Sequence, residues 1–360
     1  MNALNMKATR VRVDRLSTAA MFGLVVIPLF VVFLATASMS RSRFDVDAFT
    51  NVVTAWRLGT SGSVYLPDHV PLTHPDYVGN VSWIVAEDDS AVGKYPPGAA
   101  LHAAPLYAVW PQAAEIQELQ ANHNPDAAPV RVPMPPYGPA AIVSALVVAL
   151  AMGFLALSFR RMAPVSTSVG GAYVAGLGTT AWSVAADGLW QHGPGMMWIA
   201  LAGALSAAHL LASGAAYGVA VLVRPLNAFI AAANGLYVSY RERSLLPAIK
   251  VGVGALAGLA LLVAYNAAVY GEPSLLGGYE SKFIESAGSS DLVGYARNVG
   301  LALISPTRGV LIWSPFLLVL VPGIRAAWRV APPWARGGAL GGLIYLLVQL
   351  KANRFSGGSG

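Results

Sequence analysis

Residues 19–37 read AAMFGLVVIPLFVVFLATA, and none of these side chains is charged. The hydrocarbon core of a bilayer takes about 20 helical residues at about 1.5 Å each, so this stretch is long enough to cross it. The apolar part of a cleaved signal peptide is usually only about 7–15 residues. Ala35-Thr36-Ala37 therefore reads as the end of an uncleaved anchor rather than as a peptidase site. Lys7, Arg10, Arg12 and Arg15 precede the run against one acid, Asp14. That basic flank assigns the N-terminus to the cytoplasm.

Composition says the same of the rest. Hydrophobic residues make up 56% of the chain and charged residues 11%, where a soluble domain carries roughly 25% charged residues. One globular core cannot absorb that excess, which calls for a lipid-facing surface. With no cysteine, disulfides, thiolate metal sites and cysteine nucleophiles are excluded. The net charge is +6, but no basic run is dense enough to point to nucleic acid. The excess sits in short loops, where membrane orientation accounts for it.

Directly after the first run comes Arg43-Phe44-Asp45-Val46-Asp47-Ala48-Phe49. It puts two carboxylates where a helix leaves the bilayer, a place where acidic residues are often functional. The polar segment it opens extends to residue 138 and holds most of the acids, together with His69, His74, His102 and His123. Within it, Lys94-Tyr95-Pro96-Pro97-Gly98 leads into a short apolar piece, 99–110, interrupted by Pro105. A surface-lying or shallowly inserted helix suits that length.

Apolar runs follow at 139–159, closed by Arg160-Arg161, then at 166–186 and 196–211, with the polar turn Asp187 to Pro194 between the last two. Residues 216–240 admit two readings. A single tilted span would invert every later loop and place Arg241, Arg243 and Lys250 outside, against the positive-inside pattern. Arg224-Pro225 lies near the middle, where proline breaks the helical ladder and an arginine in lipid is costly. A hairpin or broken re-entrant pair that begins and ends at the cytoplasm avoids both problems. Further runs are expected at 249–270, 310–321 and 340–350, with an external loop at 271–308.

The expected fold class is an all-α membrane protein, a polytopic helical bundle with a large external loop after the first span that bears short surface helices. The expected divisions are a cytoplasmic N-terminus (1–18), a first transmembrane helix (19–37) and an extracytoplasmic loop (38–138). A multispanning region (139–350) follows, then an external end (351–360) whose Gly- and Ser-rich composition reads as the start of a loop in a C-terminally truncated sequence.

In the order of its features the chain resembles the GT-C superfamily of integral-membrane glycosyltransferases, including its mannosyltransferase-like and aminoarabinose-transferase-like members. The resemblance rests on Asp45-Val46-Asp47 after the first span and on Lys94-Tyr95-Pro96-Pro97. It also rests on Gly178-Thr179-Thr180-Ala181-Trp182, on Gly218 to Arg224-Pro225, and on Ser305-Pro306-Thr307-Arg308-Gly309 with Ser314-Pro315. It implies an enzyme of the plasma membrane with an extracytoplasmic site. Such an enzyme moves a sugar from a polyprenyl-phosphate donor to a glycan, lipid or protein acceptor, with membrane lipids as further partners and no nucleic acid.

That reaction needs a base for the acceptor hydroxyl and cations for the leaving phosphate. The resemblance gives the first role to Asp45 or Asp47, with Asp45, nearer the span, favoured. Lys94, Arg308 and Arg354 are the candidates for the donor phosphate, and His192, Glu280 and Tyr279 for substrate. Each has a plainer reading as interface anchor, snorkelling lysine or hydrogen-bonded loop residue. No ligand spacing marks a metal site, and no cofactor is required, although a divalent cation can assist such a transfer. The rival class is a transporter or flippase of envelope precursors, in which broken spans surround the binding site.

Overall fold

The computed structural model describes residues 16–37, 46–66, 84–87, 90–119, 130–279, 285, 287–288, 291–307 and 309–352. Helix dominates, and the fold class is all-α. The first helix, α1 (Thr18–Ala37), buries Met21, Val25, Leu29 and Phe33, a four-residue spacing that forms one stripe. Leu24, Ile27 and Val31 on its other faces stay exposed.

The polar segment holds α2 (Val46–Ser61) and α3 (Gly98–Val109). It also holds two antiparallel strand pairs, β1 (Ile84–Glu87) with β2 (Ser90–Gly93) and β3 (Glu115–Leu119) with β4 (Val130–Met134). The sequence reading placed only helices here. Val85 pairs with Val92, and Ile116, Val130 and Val132 fall in the second pair of strands; β-branched residues suit a pleated surface.

The rest is helical: α4 (Gly138–Arg160), α5 (Val165–Leu177), α6 (His192–Ser206), α7 (Leu210–Val223), α8 (Ala228–Glu242) and α9 (Leu246–Tyr270). Then come α10 (Leu292–Ile304), the short α11 (Val310–Trp313), α12 (Phe316–Leu320) and α13 (Ile324–Val330), and α14 (Pro333–Ala352). Of these, α1, α4 and α9 are long and apolar enough to cross a membrane. Two runs expected to be continuous are broken. Residues 166–186 split at Gly178 into α5 and a π-helical turn, Ala181–Ala185. Residues 310–321 split at Ser314-Pro315, because proline cannot continue the ladder.

Close contacts fix the relative directions of the helices. Gly176 meets Met152 and Gly171 meets Phe159, so α5 runs against α4. Gly195 meets Val223, and the Ser213 hydroxyl donates to the Ala202 carbonyl, so α7 runs against α6. Gly214 and Gly218 lie on Val251 and Ala255, so α9 runs parallel to α7. The Ala248 N–H donates to the Ser239 hydroxyl, which sets α8 against α9. Gly337 and Gly341 of α14 lie on Asn234 and Ile230, so α14 runs against α8.

One end of the helix array thus gathers the starts of α4 and α6, the turn between α7 and α8, and the ends of α9 and α14. The Trp182 indole donates to the Thr36 hydroxyl, which brings the end of α1 there as well. Among the described residues the α7–α9 seam is the tightest. A side chain on Gly218 or Gly258 would run into the opposing backbone, so only glycine lets the two helices approach this closely.

Candidate functional site

At that gathered end, α7 stops at Val223 and the chain turns through Arg224 and a 3-10 turn, Pro225–Asn227, into α8. Pro225 has no N–H and fixes its own φ, and Arg224 before it is extended, at φ −153° and ψ 116°. The Asn227 amide donates to the Ala220 carbonyl at 2.8 Å, a second bond to an oxygen that already accepts from the Arg224 N–H at the end of α7.

Arg224 is the hub. Its Nη1 donates to Nδ1 of His192 at 3.0 Å and its Nη2 donates to Oε1 of Gln349 at 3.1 Å. Its guanidinium carbon lies 5.6 Å from the Tyr345 ring centre, a cation–π contact. Among the described residues no carboxylate pairs with it. Gln349 and Tyr345 sit four residues apart on α14, one turn, so both face the same neighbour.

His192 opens α6. Its ring stacks on Trp190, with centroids 6.0 Å apart and planes at 28°. His192 is exposed by surface area, yet protein atoms crowd its ring, the arrangement of a side chain at the mouth of a recess. That enclosure and, second, the Arg224 cation hold its pKa well below the usual histidine range. The Trp190 Nε1 is buried without a hydrogen-bond partner among the described residues. A Cβ placed on Gly188 would lie 3.2 Å from that nitrogen and 3.3 Å from Ala48 in the first turn of α2. Ala48 at the start of α2 and the His192–Arg224 pair therefore flank the same turn.

The Pro-Pro corner reaches this place from the other side. A Cβ on Gly98 would lie 2.5 Å from the Cα of Val223. Lys94 is half-buried, with its ammonium 5.1 Å from the Tyr95 ring centre and its backbone beneath Gly278. The Tyr270 hydroxyl donates to the Gly93 carbonyl at 2.8 Å and ties the end of α9 to the same corner. His102, one turn into α3, accepts from the Trp198 indole at 2.8 Å on Nε2 and contacts the Gly98 carbonyl at 2.6 Å through Nδ1. Both nitrogens are used, so His102 is a structural, uncharged histidine, and burial lowers its pKa.

Of the residues singled out from sequence, His192 and Lys94 lie at this end. Asp47 is in the first turn of α2, with its side chain outside the described set. Tyr279 closes a 3-10 turn, Gly277–Tyr279, and its side chain is likewise outside. Asp45, Glu280, Arg308 and Arg354 fall outside the described residues. Lys351, near the end of α14, lies 5.6 Å from the Tyr295 ring centre. Among the described residues no three histidines or acids gather as metal ligands would.

Sequence reasoning left Arg224 without a chemical role and passed over Trp190, Tyr345 and Gln349 as site residues. The one available signal was the arginine itself, an unshielded charge in an apolar run. Compared with family models, curated proteins and solved structures, the chain finds no match.

Proposed function

We propose that the protein is a polytopic plasma-membrane glycosyltransferase of GT-C type, which moves a sugar from a polyprenyl-phosphate donor to an extracytoplasmic acceptor. The end opposite the site carries Arg160, Arg161, Arg241, Arg243, Arg329 and Arg336 around the loops that join the helices. By the positive-inside pattern that end faces the cytoplasm, and the Arg224 end faces outward. The helix pair α7–α8 then enters from the cytoplasmic side, turns at Arg224 and returns.

In this reading an acceptor hydroxyl attacks the anomeric carbon as the bond to the phosphate oxygen breaks. Asp45 or Asp47 takes the hydroxyl proton, and polyprenyl phosphate leaves. In-line attack inverts the anomeric centre. Lys94, with Arg308 and Arg354, balances the departing charge. His192, Tyr279 and Glu280 contact substrate.

The observation that carries the reading is the packing of Ala48, the residue after Asp47, against Gly188. That contact brings the start of α2 next to the turn that carries Trp190 and His192, which supports a base and a leaving-group site lying close together. The test is the double variant Asp45→Asn and Asp47→Asn in membranes supplied with a polyprenyl-phosphate sugar. Transfer should vanish while the protein still inserts, and full residual transfer would falsify the assignment.

A further inference from the structure

We infer that Arg224, clamped between α6 and α14, is a phosphate-binding residue, and that the recess it shares with His192 and Trp190 receives the phosphate of a prenyl-linked ligand. The inference rests on the proposed transfer reading for the prenyl part of the ligand alone. The anion site stands on the following geometry.

A half-buried guanidinium needs partners for its charge. Its partners here are all neutral: the histidine nitrogen, the glutamine oxygen and the tyrosine face. Among the described residues two of its N–H groups find acceptors and the others find none. The neighbours add donors rather than acceptors. With Nδ1 accepting from Arg224, the neutral His192 ring carries its proton on Nε2, which has no partner among the described residues. The buried Trp190 N–H is also unspent. The recess thus offers unspent donors beside the Arg224 charge, and a phosphate's several acceptor oxygens complement it.

The guanidinium is also preorganised. Gln349 and His192 hold it from two sides, and the Tyr345 ring backs it, so little side-chain freedom is left to lose on binding. Its position at a helix break sets the charge against protein groups.

The test is equilibrium binding to the purified full chain in nanodiscs of neutral lipid, with no sugar acceptor present. The probes are a polyprenyl monophosphate, the matching uncharged polyprenol, and inorganic phosphate. The polyprenyl phosphate should bind at least tenfold more tightly than the polyprenol, and R224Q should lose at least tenfold of that affinity. Competition by millimolar inorganic phosphate identifies a site open to water, and its absence identifies a ligand delivered through the lipid; each supports the inference. Equal binding of phosphate and alcohol, or undiminished binding by R224Q, overturns it.

If R224Q does not fold, NMR of histidine-labelled wild type decides. The His192 ring signal, assigned by its loss in H192N, must move as polyprenyl phosphate is added, and an unmoved signal at saturation overturns the inference. Binding is read without turnover. Retained binding with no transfer therefore defeats the transferase reading alone, and transfer without phosphate dependence at Arg224 defeats this inference alone.

Discussion

Arg224 donates to Nδ1 of His192 across 3.0 Å. A guanidinium has no acceptor to offer, so this contact exists only while Nδ1 is unprotonated. Protonating the ring would set two cations side by side. The folded-state pKa of His192 is therefore depressed, by enclosure first and by Arg224 second, and burial depresses that of His102. Below 6.5, the ordinary value, the unfolded chain takes up these protons and the folded chain resists them. Stability from this source is fully present above pH 6.5 and is lost progressively as the pH falls towards the depressed folded values. The melting temperature in detergent should drop between pH 8 and pH 5, and the drop should be shallower in His192→Asn, whose amide oxygen can still accept from Arg224.

Gly98 is expected to tolerate no side chain. A Cβ there meets the Val223 backbone at 2.5 Å, where no rotamer change can relieve the overlap. Gly98→Ala should cost about 1–3 kcal/mol, the range for overpacking a tight contact. The loss would be read as a lower midpoint in chemical or thermal unfolding.

The turn at Arg224 offers a smaller, separable effect. Asn227→Ala removes the amide that donates to the Ala220 carbonyl, while the Arg224 N–H still reaches that oxygen at 2.9 Å. With the acceptor still satisfied, the loss should be about 0.5–1.5 kcal/mol. Hydrogen exchange should quicken around residues 220–228 and not in α4.

How far could residues alone reveal this? The helices α1, α4 and α9 are legible because each holds a long, strongly apolar run, a pattern that needs no tertiary information. Pro225 marks its own interruption of the ladder for the same local reason. The partners of Arg224 are another matter. His192 lies 32 residues away and Gln349 lies 125 away, and no local pattern pairs them. The strand pairs were hidden because they are short and sit in a polar, proline-rich segment whose composition reads as loop. The broken helix at Gly178 was hidden because Thr179-Thr180-Ala181 keeps the run apolar enough to look continuous.

Two glycines on the same helix give an internally controlled comparison. Gly258 faces the backbone of Gly218, whereas Gly252 has open space around the place where a Cβ would stand. Gly258→Ala should lower stability by about 1–3 kcal/mol through overpacking. Gly252→Ala should raise it by about 0.5–1 kcal/mol through reduced backbone freedom in a helix. Opposite signs from the same substitution, measured by thermal unfolding in one detergent, would place the seam on one face of α9. Equal signs would remove it.

Because Gly98 touches Val223 backbone to backbone, nothing soft lies between the Pro-Pro corner and the residue that precedes Arg224. The two segments therefore form one stiff unit, and a shift of either backbone displaces the other.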